Sequence, residues 1–277
     1  MYSKPKEVLN LEGIKRLDLI HSGKANDVFA TSNAFIYEIE STDRVSAGNG
    51  IKKDIIPGKG VSNNTISTAI FKYLMEHGIP THFVSDGTYA TSKFVLAADM
   101  IPLEVIGRLK TAGSFCKRYG CPEGIEFDEP FVEFTYKSDN SGDPPIDRKT
   151  IAALLDQMQL ENEREIDLME FYTAHIAELL QEFWLNFGVE IIDFKVEFGR
   201  LENGEIILCD EISPDTCRLV DLETGEKLDK DRFRENMKDP EKGYNELLAR
   251  LCNSWITANK QNLRHCFGFP RQCRFSY

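Results

Sequence analysis

Apolar and polar residues alternate with a period of two from Arg16 to His21 and again from Phe35 to Glu40, the spacing of strands with one buried face. Between these two segments, His21-Ser22-Gly23-Lys24-Ala25-Asn26 interrupts the alternation and predicts a tight loop with a lysine at its tip, a candidate cover for phosphate. Pro57-Gly58-Lys59-Gly60 then opens a helix, because Ile66, Ala69, Ile70, Tyr73 and Leu74 recur at helical spacing until Gly78 and Pro80 stop it. Another strand is predicted around Phe94 to Ala98, and Asp99-Met100-Ile101-Pro102 after it is a candidate connection between two lobes. In the second half, Leu168, Phe171, Tyr172, His175, Ile176, Leu179, Leu180, Phe183, Trp184 and Phe187 form one stripe of a long helix that ends at Gly188. Such a stripe reads as core, so His175 is expected to be buried and satisfied rather than catalytic.

The most informative pattern follows that helix. Ile192, Phe194, Val196 and Phe198 alternate with Asp193, Lys195 and Glu197, which places the three charges on one face of a strand. Asn203-Gly204 predicts a hairpin, and a two-residue loop there would set Glu202 opposite Glu205 and Glu197 opposite Asp210. Opposed residues have Cβ atoms about 5 Å apart, where two like charges repel unless a cation lies between them. Two such carboxylates would offer hard oxygen ligands to Mg²⁺, which typically takes one or two carboxylates plus nucleotide phosphates. Lys195, on the same face, would reach a phosphate or another anion. The plainer alternative is a solvated charged face on an edge hairpin, with Lys195 merely offsetting its neighbours. Asp210-Glu211-Ile212-Ser213-Pro214-Asp215-Thr216-Cys217-Arg218 then sets polar residues and a proline break just beyond a strand, the kind of loop that carries function on a rigid scaffold.

Bulk properties narrow the classes. The 277 residues suffice for one large α/β domain or two small lobes, and 42% hydrophobic with 28% charged residues is an ordinary globular balance. A net charge of −12 argues against nucleic acid and anionic membrane as partners. The one basic stretch begins after Glu246, where Arg250, Lys260, Arg264, Arg271 and Arg274 occur without any acidic residue; it reads as a solvated or docked tail. The charged start of the chain and the lack of a long apolar stretch predict a cytoplasmic protein. Seven cysteines without a C-x-x-C pair predict reduced thiols rather than a disulfide framework or a zinc site.

Several runs together resemble the SAICAR synthetase (phosphoribosylaminoimidazole-succinocarboxamide synthase) family. They are G-K-A-N-D-V at Gly23 to Val28, Ser46-Ala47, P-G-K-G-V-S-N-N at Pro57 to Asn64, T-A-G-S-F-C-K-R at Thr111 to Arg118, D-F-K-V-E-F-G-R at Asp193 to Arg200, D-E-I-S-P-D-T-C-R at Asp210 to Arg218, and D-K-D-R-F-R at Asp229 to Arg234. They fall in the family's order between about residue 14 and about residue 250. The resemblance implies a two-lobed α/β fold with mostly antiparallel sheets, related to ATP-grasp enzymes and kinases, with ATP in the interlobe cleft. The implied lobes are residues 1–100 and 101–250, with 251–277 as a basic tail of no assigned role.

The resemblance also implies a reaction: ATP activates an imidazole carboxylate ribonucleotide as an acyl phosphate, and the amine of L-aspartate attacks it to form an amide. Carried over by position, Gly23, Lys24, Ala25 and Met100 would bind ATP, and Glu197 and Asp210 would hold its Mg²⁺. Lys195 would act with that pair on the transferring group. Ser46, Arg108, Ser114, Asp215, Arg218 and Lys230 would bind the ribonucleotide. The family often has lysines where this chain has Asn26 and Leu96-Ala97. The resemblance leaves homo-oligomerisation open. Two other readings of the same residues are a small-molecule kinase and a non-catalytic nucleotide sensor.

Overall fold

In the computed structural model, which describes residues 11–48, 50–138 and 141–260, the alternating segments near the start of the chain become one antiparallel sheet. Its elements are β1 (Arg16–Ser22), β2 (Asn26–Thr31), β3 (Ile36–Ser41), a separate hairpin of β4 (Arg44–Ala47) and β5 (Lys52–Ile55), helix α1 (Lys59–Glu76), β6 (Phe83–Asp86) and β7 (Ser92–Leu96). The five sheet strands lie in the order β1-β2-β3-β7-β6. Helix α1 covers β3, β6 and β7 with Ile66, Ile70, Phe71 and Leu74, all fully buried, and the Phe71 ring stacks on Phe83 at 6.3 Å. These contacts follow from the helical spacing of those residues, which puts them on one face.

A second unit spans Ala98–Lys230. It contains β8 (Asp99–Lys110), α2 (Ser114–Tyr119), β9 (Glu126–Tyr136), β10 (Pro145–Ile146), α3 (Arg148–Ala153), α4 (Glu163–Leu185), β11 (Val189–Arg200), β12 (Ile206–Cys209) and β13 (Cys217–Asp221). Its antiparallel sheet runs β10-β9-β8-β11-β12, with β13 paired to β11 as well. One face is apolar: Leu103, Val105, Phe134, Phe194, Val196 and Phe198 are buried, and α4 packs on β8, β9 and β11. Because side chains alternate, the opposite face must carry the residues between them. There the register sets Glu133 beside Ile106, Thr135 beside Glu104, Arg108 beside Asp193 and Glu104 beside Glu197, so a band of charge crosses three strands.

Two expectations change here. β12 is the last strand of the sheet, but β11 lies inside it, bonded on both sides, and Asp193 and Glu197 are each only 4% exposed, so the charged face of the hairpin is not solvated. On α4 the buried residues are Glu165, Ile166, Met169, Thr173, Ile176, Ala177, Leu179, Leu180, Phe183 and Trp184, which keep Ile176, Leu179, Leu180, Phe183 and Trp184 of the predicted stripe but not its outer members. Phe171 is exposed, and the His175 side chain is 39% exposed with its Nδ1 3.3 Å from Glu178 Oε2. His175 is thus a surface residue; the apolar stripe wraps further round the helix than its sheet contact, and its outer rim meets water.

The chain then returns to the first unit, adding α5 (Asp231–Arg234) and α6 (Glu241–Lys260). Helix α6 packs on α1, and Phe233 and Tyr244 close a core cluster with Val45 and Ile56. Lys52 donates to the Phe233 carbonyl, with its ammonium 3.8 Å from the centre of the Phe233 ring. Residues 231–250, grouped by pattern with the second lobe, therefore belong with the first, and the boundary falls at Ala97–Ala98 rather than within the run from Asp99 to Pro102, which is strand. Arg250 pairs with Glu246 at 2.8 Å; Arg264, Arg271 and Arg274 of the predicted basic tail lie outside the described residues. Cys116, Cys121, Cys209 and Cys217 are free thiols, whereas Cys252 is disulfide-bonded, a departure from the expected fully reduced set. No helix among the described residues is long and apolar enough to cross a membrane.

Candidate active site

The hairpin between β11 and β12 closes differently from its sequence signal. Leu201 N–H donates to the Glu205 carbonyl at 2.9 Å and Gly204 N–H to the Leu201 carbonyl at 2.8 Å, leaving a three-residue loop of Glu202, Asn203 and Gly204. Gly204 takes the left-handed conformation, φ +83°, which lets a turn of this length rejoin the strands. The extra residue slips the register by one. Glu197 therefore stands opposite Cys209, not Asp210, and Glu205 stands opposite Leu201.

Asp210 nevertheless reaches the predicted neighbourhood, by a different route. As the residue after Cys209 it would point to the other face of a regular strand. β12 ends at Cys209, however, and Asp210 adopts φ +57°, a conformation that Asp tolerates better than most residues. Its Oδ2 consequently lies 3.5 Å from Lys195 Nζ. The same ammonium is 2.5 Å from Glu197 Oε1 and 3.3 Å from Glu104 Oε1. Lys137 Nζ holds the other Glu197 oxygen at 2.6 Å, and Thr135 Oγ1 donates to Glu104 Oε2 at 3.0 Å.

Three carboxylates and two ammonium groups thus meet on the polar face. Burial alone would lower the Lys195 pKa, but the charges of Glu197, Asp210 and Glu104 outweigh it and raise it well above the usual lysine range. The surrounding carboxylates thus favour the charged form of Lys195. Burial opposes the charge on Glu197, yet Lys195 and Lys137 hold its pKa below the ordinary carboxylate range. Asp210 shifts upward, through burial and then through the charge on Glu197.

A second group lies further along the same face. Arg108, only 1% exposed, donates from Nη1 to Asp193 Oδ2 at 2.5 Å, while its Nε and Nη2 reach Glu133 Oε1 at 2.9 and 2.5 Å. Arg218 Nη1 shares the same Asp193 oxygen at 2.6 Å. A side chain at Gly113 would run into the Arg218 guanidinium, so this glycine (φ +54°) makes room for the arginine beside Ser114 at the start of α2. Asp215 is buried in the following loop, and Lys230 N–H donates to the Pro214 carbonyl at 3.1 Å. Met100 is half exposed near the start of β8, opposite Gly199.

In the first unit, Lys24 and Ala25 form the tip of the β1–β2 hairpin, whose last pair is closed by Gly23 N–H to the Asn26 carbonyl at 2.8 Å. Thr42 clamps the tip by donating its N–H and its hydroxyl to the Ala25 carbonyl, each at 2.8 Å. Arg44 donates to the Gly23 carbonyl at 3.1 Å and to Asp27 Oδ1 at 2.6 Å. Ser46 is buried on β4 next to this anchor.

Residues 19–251 match the family model described as SAICAR synthetase. The chain belongs to the SAICAR synthetase family. Phosphoribosylaminoimidazole-succinocarboxamide synthase of Coprothermobacter proteolyticus is 46% identical over 238 residues, 86% of this chain and 99% of that relative. The crystal structure of the Ehrlichia chaffeensis synthase superposes with a TM-score of 0.80 at 38% identity, covering 84% of this chain and 98% of that one. A SAICAR synthetase solved in complex with ADP superposes with a TM-score of 0.78 at 39% identity, covering 83% of this chain and 96% of that one. The α/β fold of this chain agrees with the class expected from its motifs.

Glu104, Lys137 and Glu133 were missed by motif reading although they stand among the candidate residues. Their signal was alternation: Glu133, Thr135 and Lys137 fall two apart, as do Glu104, Ile106 and Arg108. What the sequence lacks is the register that sets those strands beside β11.

Proposed function

We propose that this chain joins L-aspartate to 5-amino-1-(5-phosphoribosyl)imidazole-4-carboxylate at the expense of ATP, releasing the succinocarboxamide, ADP and phosphate. The observation that carries the reading is the shared face on which Asp193, Lys195 and Glu197 link a carboxylate–lysine cluster to an arginine cluster. A carboxylate is a poor electrophile. Transfer of the γ-phosphoryl group to one of its oxygens, with ADP leaving, turns that oxygen into part of a leaving group. The aspartate amine then attacks the carbonyl carbon, loses a proton, and phosphate departs with the C–O bonding pair.

In this reading Lys195, held cationic, neutralises charge on the transferring phosphoryl group, and Gly23, Lys24, Ala25 and Met100 contact ATP. Arg218, Arg108, Ser46, Ser114, Asp215 and Lys230 bind the ribonucleotide, guanidinium groups being suited to phosphate and carboxylate. Such work is positioning and electrostatic stabilisation rather than covalent chemistry by the protein.

The donor set fits Mg²⁺. Glu197 and Asp210 would supply hard oxygens, and both lie beside the Lys195 ammonium. Mg²⁺ typically takes one or two carboxylates and completes its shell with phosphate oxygens and water. When bound, the ion would offset charge on the ATP phosphates.

The test is ADP release with ATP, Mg²⁺ and the imidazole carboxylate, with aspartate supplied in one arm and withheld in the other. Aspartate-dependent release with formation of the succinocarboxamide is expected. Equal ADP release in both arms would overturn the ligase reading.

A further inference from the structure

The polar face of the second unit carries an unbroken row of alternating charges: Arg118, Glu133, Arg108, Asp193 and Arg218. Glu133 occupies its hinge. One carboxylate oxygen accepts both Nε and Nη2 of Arg108, the two-donor side of the guanidinium, and the other accepts from Arg118 at the end of α2. Arg108 is thereby gripped from two strands at once, by Glu133 of β9 on one edge of its fork and by Asp193 of β11 on the other. A guanidinium fixed on both edges has lost its rotational freedom, and with it the entropy that an anion would otherwise have to remove on binding. The Phe115 ring lies 5.6 Å from the Arg108 guanidinium and 5.9 Å from that of Arg118, so α2 sits against both arginines that Glu133 joins.

We propose that Glu133 is a positioning residue for the ribonucleotide site: through Arg108 and Arg118 it fixes an arginine assigned to that site and the helix α2, at whose start Ser114 lies. This rests on the assignment of Arg108, Ser114 and Arg218 to the ribonucleotide. Glu133 belongs to the arginine row and makes no contact with the Lys195 cluster among its described bonds, so its influence should fall on one substrate and spare the others.

The experiment is steady-state kinetics on Glu133→Gln, Glu133→Asp, Arg118→Ala and the Glu133→Gln/Arg118→Ala double variant, with thermal melting of each. Loss of a charge-assisted hydrogen bond should raise the KM for the imidazole carboxylate ribonucleotide about tenfold in Glu133→Gln. The KM values for ATP and aspartate should stay within about twofold, and Glu133→Asp should recover part of the loss. Arg118→Ala should give a smaller rise, and the double variant should be no worse than Glu133→Gln, because both act through one path. An unchanged ribonucleotide KM in Glu133→Gln, or an equal rise for all three substrates, overturns the proposal; so does a fully additive double variant. If Glu133→Gln does not fold, an unchanged ribonucleotide KM in Arg118→Ala overturns it and a selective rise supports it. Wild-type turnover separates the two levels: a wild type without aspartate-dependent ADP release overturns the ligase reading and the positioning role together, whereas normal wild-type turnover with unselective variants overturns the positioning role alone.

Discussion

At Asp210 one positive φ decides which way a carboxylate points, and the candidate metal pair depends on it. The sequence pattern suggested that Glu197 and Asp210 meet, but by a register that does not form; they approach one another because the strand stops at Cys209 and the next residue turns back. Residue types and strand alternation were legible, then, while the local backbone conformation was not, since nothing in Cys-Asp-Glu announces a left-handed residue. Glu197→Gln and Asp210→Asn are each expected to lower turnover by about 100-fold or more, the scale typical of losing a charge-stabilising group. Circular dichroism should show the fold retained, and near-normal ADP release by either variant would remove that carboxylate from the site. For Arg218→Ala, calorimetric titration should show the ribonucleotide weakened more than ATP, because its guanidinium sits by Gly113 and Ser114 at the arginine end of the face.

Among the elements, the two hairpins are tuned by different physics. In the β11–β12 turn a side chain at Gly204 would meet nothing within 4 Å, so Gly204→Ala tests the backbone alone. It should cost about 1 kcal/mol, seen as a lowered melting temperature with little change in turnover. The β1–β2 hairpin is anchored by Arg44, whose hydrogen bond to Asp27 holds that carboxyl below its ordinary pKa against the effect of burial. A depressed folded-state pKa stabilises the protein above the unfolded value and stops doing so as pH falls through the folded value. Asp27→Asn should therefore lose about 0.5 kcal/mol at pH 7, a modest figure because Arg44 is partly exposed, and the gap should close in melts taken well below pH 4. Hairpins and helices were readable from period and turn residues. The helix α4 face was read too broadly, because Phe171 and His175 share the stripe yet stay open to water.

Across the whole molecule, family motifs set the fold class and the order of candidate residues, but the assignment of α5 and α6 was hidden. Their apolar residues announce a buried face without naming the partner, and only coordinates join Phe233 and Tyr244 to Val45 and Ile56. A chain truncated after Lys230 should keep the sheet of the second unit yet lose cooperative melting of the first, with β4, β5 and α1 becoming protease-sensitive.

The return of α6 to α1 also has a bearing on synthesis. Emerging from the ribosome, the opening sheet must wait through the whole of Ala98–Lys230 before its last helices arrive, so the part made first is completed last. During that interval the seat of α6 on α1 stays bare, a window in which a chaperone holding apolar surface would favour productive folding over aggregation.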